Sequence, residues 1–187
     1  MPLDPEILYE IDTHVRGGFA QRDDIIEILT EEMIDDVDLD AAEVESAVDA
    51  AFAAHERSKA GWPTQTDCDR LDAVFDALEA QGLIALQCAG YTQSDGFEDV
   101  CEVYDSQTDK GGIIGYCFYH GQDLDRAVHG QGLYLAFGPM DAGLEETEGP
   151  RVGRLIADEL RREGFKVDWD GTFAQRIFVP QVDWKRR

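Results

Sequence analysis

Two short stretches hold the side chains best suited to chemistry. In GYTQSDGFED, residues 90–99, Thr92, Ser94 and Gly96 approximate the G-x-S-x-G turn that exposes a nucleophilic serine between a strand and a helix. Thr92 stands where that motif has its first glycine. A base and an orienting acid follow downstream, His120 or His129 with Asp123, and Ser94, His120 and Asp123 would together make a hydrolase or transferase triad. The branched side chain of Thr92 crowds the turn that such a triad needs. A plain helix start departs less from the pattern: Ser94 or Asp95 caps the helix and Gly96 eases the turn.

The second stretch is GYCFYHGQD, residues 115–123. Along a strand, Tyr116, Phe118 and His120 share one face while Cys117 and Tyr119 share the other. Cys117 and His120 therefore diverge, and no cysteine spacing in the chain matches a zinc site, so neither metal nor cofactor is expected. His120 titrates near neutrality, Gln122 offers a donor and an acceptor, and Asp123 a carboxylate. In one reading Asp123 caps the helix LDRAV and His120 bonds a neighbouring carbonyl; in the other the free helix N-terminus holds a small anion. Trp62, Arg70 and Arg176 are polar or aromatic residues set among apolar ones. Arg176 either pairs with Asp168 or Asp170 or anchors a ligand carboxylate bidentately. With Tyr91, Thr92, Asp95 and Gln122 they complete the candidate binding residues.

These residues must be placed by the elements around them. Up to about residue 60 the pattern is helical: Ile7, Leu8, Ile11 and Val15 recur at spacings of three and four, as do Val44, Ala47, Val48, Ala51 and Phe52. Between them, Asp36, Asp38 and Asp40 mimic a calcium loop, but Ala41 and Ala47 stand where it needs Gly and Glu, so Asp40 reads as an N-cap. Trp62-Pro63 marks a boundary. Helices and strands then alternate: helix CDRLDAVFDALEAQG, strand LIALQC, helix GFEDVCEVY, strand GIIGYCFY, helix QDLDRAVHG and strand GLYLAF. A helix started by Pro150 follows, and FKVDW and QRIFV predict a closing hairpin across Asp170-Gly171. The expected fold is α+β, a mixed sheet of about five strands flanked by helices (61–187) behind a helical part (1–60).

Sixteen Lys and Arg stand against forty Asp and Glu, a formal charge of −24, and from Arg151 onward the balance turns basic. Such a surface repels phosphate backbones and anionic membranes, so neither nucleic acid nor membrane is an expected partner. A basic protein or a small anionic ligand held by a local cation is. The N-terminus lacks a signal-peptide pattern, no stretch is long enough for a membrane span, and the four cysteines show no paired spacing. The expected location is the cytoplasm.

WPTQTDCDRLD, AGYTQSDGFEDV, GYCFYHGQDLDRAV, GLYLAFG and the closing GFKVDWDGTFAQRIFV occur in that order. Together they resemble a bacterial family catalogued only as a domain of unknown function, over most of the chain from about residue 60. Some relatives of that pattern carry a Cys-Cys-x-x-Cys cluster where this chain reads QCAGYTQSDG, and only Cys88 matches it. With no complete catalytic constellation in the sequence, the leading expectation is a binding or regulatory module without catalysis. The Ser94, His120 and Asp123 hydrolase or transferase is its alternative.

Overall fold

The computed structural model describes residues 3–32 and 40–187, so Asp36 and Asp38 of the rejected calcium loop lie outside the described residues. The chain divides into two compact units, Met1–Thr66 with Trp184–Arg187, and Asp67–Asp183.

In the first unit, α1 (Pro5–Gly17) starts on Asp4, whose carboxylate accepts the Glu6 N–H at 2.9 Å, and ends at Gly18. Helix α2 (Arg22–Glu27) runs into a π turn at Ile28–Glu32. Helix α3 (Ala41–Lys59) is capped by Asp40, as its sequence suggests. Ile7, Ile11 and Val15 bury against Ile25, Leu29, Val44 and Val48 as the core stripe of this unit, whereas Leu8, of the same spacing, stays exposed. The end of the chain returns here: Trp184 Nε1 donates to the Arg16 carbonyl at 3.1 Å.

The second unit holds a four-stranded mixed sheet in the order β1 (Leu83–Leu86), β2 (Gly115–Phe118), β3 (Leu133–Gly138), β4 (Ile177–Val179). Strands β1 and β2 are parallel, with Leu83 opposite Gly115; β2–β3 and β3–β4 are antiparallel, with Tyr116 opposite Gly138 and Tyr134 opposite Phe178. Parallel pairing demands a crossover, supplied by α5 (Gln93–Ser106). Helices α4 (Asp67–Ala80) and α7 (Glu145–Arg162) pack on each other, α4 also on β1 and α7 on β3, while α6 (Gly121–Val128) joins β2 to β3. Strand β2 is buried throughout, as expected of a strand apolar on both faces.

Two expectations are corrected. The fifth strand reduces to a single bridge, Asp168 N–H to Phe178 O at 2.8 Å and Phe178 N–H to Asp168 O at 3.0 Å. The backbone after Asp168 is held in a turn by side chains: Asp170 Oδ1 accepts from the Thr172 N–H and hydroxyl, and the Trp169 indole donates to the Thr172 and Gln175 carbonyls. Pro150 does not start α7 but lies inside it. The helix grows from a short 3-10 turn at Ala142–Leu144 capped by Asp141, which removes the need for proline as a starter.

Candidate functional site

The packing of α5 on β2 decides where a cleft can form. A Cβ on Gly96 would lie 2.5 Å from Phe118 Cε2 and 2.7 Å from the Ala89 carbonyl, so glycine here permits close approach and does not ease a turn. The helix start belongs to Thr92, not to Ser94. Thr92 Oγ1 accepts the Asp95 N–H at 3.4 Å and the Asp95 carboxylate accepts the Thr92 N–H at 2.8 Å, a reciprocal capping box that holds Asp95 below the usual carboxylate range. Ser94 is exposed in the first turn, and among the described non-glycine residues only Cys88 has a positive φ, so Ser94 lacks the strained backbone of a nucleophile elbow.

The opposite wall comes from the segment between Asp168 and β4. Phe173 sits where a Cβ on Gly149 would be 2.6 Å from its ring, and Trp169 likewise against Gly153, so α7 seats both aromatics in a glycine notch. Phe137 meets them edge-on, its centroid 5.7 Å from Trp169 and 5.9 Å from Phe173. Between the walls lies a cleft of about 560 Å³ lined by Gln93, Ser94, Phe97, Tyr116, Phe118 and Arg176 and closed by Phe137 and Phe173. Tyr116 and Phe118 stack at 6.0 Å on the strand face that alternation assigned them. Burial, assisted by Glu145, pushes the Tyr116 phenol up to about 12, so it stays a proton donor.

Arg176 joins this cleft to a buried polar cluster. Its Nη1 donates to Asp123 Oδ2 at 2.9 Å and Oδ1 at 3.2 Å and lies 3.3 Å from His120 Nε2, which is itself 3.0 Å from Asp123 Oδ2. The guanidinium carbon stands 4.8 Å over the Tyr134 ring, which stacks on Phe178 at 4.4 Å. The carboxylate and the ring face thus fix the guanidinium while its other two nitrogens make no hydrogen bond among the described residues. Arg176 therefore pairs with Asp123, not with Asp168 or Asp170.

Asp123 is 1% exposed and His120 4%. Burial pulls the His120 pKa below its ordinary value, against the pull of Asp123 and with the help of the Arg176 charge. Burial raises Asp123, and Arg176 and His120 oppose that rise. The cluster is therefore an Arg176–Asp123 ion pair beside an imidazole that burial biases toward its neutral form. His120 Nε2 faces both Arg176 Nη1 and Asp123 Oδ2, and Nδ1 is the one buried side-chain nitrogen or oxygen without a partner among the described residues. His120 occupies the N-cap position of α6 without a side-chain cap bond, and Asp123, three residues on, turns its carboxylate to Arg176.

The remaining candidates lie elsewhere. Arg70 bonds Asp67, donates to the Glu163 carbonyl at 3.0 Å and covers Phe165, closing the end of α7. Trp62 belongs to the first unit, edge-on to His55 at 5.3 Å. Tyr91 is 60% exposed, its ring over Gly121, and its carbonyl accepts the N–H of Gln122, which is also exposed. His129 caps the far end of α6. Among the described residues no three His, Cys, Asp or Glu side chains stand where they could hold a metal ion, and no helix is long and apolar enough to cross a membrane.

The model of a domain of unknown function, DUF6891, matches residues 3–187. The chain belongs to that family. The match takes in the helical first unit as well as the sheet, so the family's shared sequence reaches upstream of the quoted motifs. No curated protein and no solved structure matches the chain significantly.

The cleft aromatics were the part that motif reasoning missed. Phe97 in GFEDV and Phe173 in the turn DGTFAQR are bulky apolar residues in polar surroundings, which is the one sequence signal that marks them.

Proposed function

We propose that this chain is a small-molecule binding module whose cleft takes a ligand with an apolar or aromatic body and one anionic group, the anion held by Arg176. The observation that carries this reading is the guanidinium fixed by Asp123 and Tyr134 at the edge of an aromatic-lined cleft. A cleft of this volume suits a small molecule, and an arginine whose orientation is set beforehand loses little entropy when it binds. The overall charge of −24 works against an anion at long range, so affinity must come from contact at Arg176 and from burial on the rings.

Anilinonaphthalene sulfonate and its neutral counterpart phenylnaphthylamine test this. Arg176→Gln is expected to weaken the sulfonate about tenfold or more, the worth of a charge-assisted hydrogen bond, and to leave the neutral probe unchanged. Equal weakening of both, or of neither, contradicts the assignment.

The hydrolase or transferase reading, with Ser94, His120 and Asp123, draws on one observation: Ser94 lines the same cleft that Arg176 borders. It requires labelling of Ser94 by an active-site-directed phosphonate in the folded protein, and absence of labelling removes it.

A further inference from the structure

We infer that the cleft takes a monoanion, such as a carboxylate or sulfonate, together with one proton that settles on His120; the inference rests on Arg176 being the anion anchor. The argument is one of charge in a confined place. Arg176 and Asp123 cancel, and neutral His120 adds nothing, so the empty cluster is neutral. A bound monoanion leaves it at −1, beside a carboxylate that is 1% exposed and in a chain of net charge −24. Uncompensated charge in such a site is costly, and the nearest group able to cancel it is the imidazole 3.0 Å from Asp123.

His120 is built to accept that proton. Its Nε2 lies 3.3 Å from Arg176 Nη1 and 3.0 Å from Asp123 Oδ2, so a proton on that nitrogen has a carboxylate acceptor in place once a ligand draws the guanidinium away. The charged groups that face the ring are Asp123 on α6, Asp95 on α5 and Arg176 ahead of β4, and the Tyr91 backbone also favours the charged ring. Arg126 stands over the same Tyr134 ring as Arg176 and adds positive charge to that side. In the empty site, burial and Arg176 hold the imidazole neutral. A ligand anion that draws on the guanidinium relieves the second of these and reverses the balance. A dianion would remain uncompensated after one proton, so the cleft selects against it.

The test is calorimetric titration of the whole chain with anilinonaphthalene sulfonate at about pH 7, in phosphate and in Tris, two buffers of different ionisation enthalpy. The sulfonate itself does not titrate in this range. Proton uptake from the buffer is expected, with affinity rising as pH falls, by up to about tenfold per unit. Naphthyl phosphate, largely dianionic at about pH 8, is expected to bind at least tenfold more weakly than the sulfonate there. His120→Asn should bind without proton uptake; if that variant does not fold, the two-buffer comparison on the native chain still decides. Binding that needs Arg176 but shows identical heats in the two buffers, or a dianion bound more tightly, overturns this inference and leaves the anchor in place. Binding indifferent to Arg176→Gln overturns both.

Discussion

Two strand-to-helix junctions in the second unit start from the same plan and end differently. At the start of α5, Thr92 and Asp95 occupy the N-cap and third positions and satisfy each other. At the start of α6, His120 and Asp123 occupy the same two positions, yet the His120 side chain makes no cap bond. Asp123 instead faces Arg176, 53 residues on, and His120 leans on Asp123. An acid at the third position can close a purely local loop of bonds, or reach a distant cation. The first choice makes a self-contained helix start; the second ties α6 to the segment before β4 and leaves a guanidinium at the edge of a cleft.

The sharpest way to break this comparison is to remove each acid's partner role in turn. Asp123→Ala strips Arg176 of its carboxylate acceptor in a buried setting and is expected to cost about 3–5 kcal/mol in urea unfolding. Thr92→Ala removes an ordinary cap and is expected to cost about 1 kcal/mol. Equal costs at the two junctions would mean that the buried cluster is no more than another helix start.

The pH dependence of stability sharpens it further. The folded pKa of His120 lies below the ordinary histidine value, so its contribution is present above about pH 6.5 and is lost as pH falls through the folded pKa. His55 is shifted the same way by burial, so the difference between native chain and His120→Asn isolates the cluster. The variant is expected to lose less stability between about pH 7 and 5 than the native chain, as read by thermal unfolding. A parallel loss in both would place the titration elsewhere. The smallest effect is expected at Ser94. Ser94→Ala should change stability by less than about 0.5 kcal/mol, because the hydroxyl is exposed and makes no hydrogen bond among the described residues.

Much of the frame was legible in the residues. Periodicity gave the stripes of α1 and α3 and the buried β2, and alternation correctly put Tyr116 and Phe118 on one face. Asp40 and the glycines at 18, 82 and 164 marked helix limits for local reasons, which a sequence displays directly. What could not be read was non-local. Asp123 carries every mark of a helix cap, and nothing in LDRAV reveals that an arginine more than fifty residues later bonds its carboxylate. The FKVDW segment alternates like a strand, but Trp169 and Asp170 bind their own turn and leave one bridge. The seat of Phe173 likewise depends on Gly149 of α7, which only the fold brings to it.

The most direct test of the central claim is the position of anilinonaphthalene sulfonate in a crystal of the complex. The expected result places the sulfonate within hydrogen-bonding distance of an Arg176 nitrogen other than Nη1, with the rings against Phe97 and Phe173. A sulfonate bound elsewhere, with Arg176 still turned wholly toward Asp123 and the cleft empty, would contradict it.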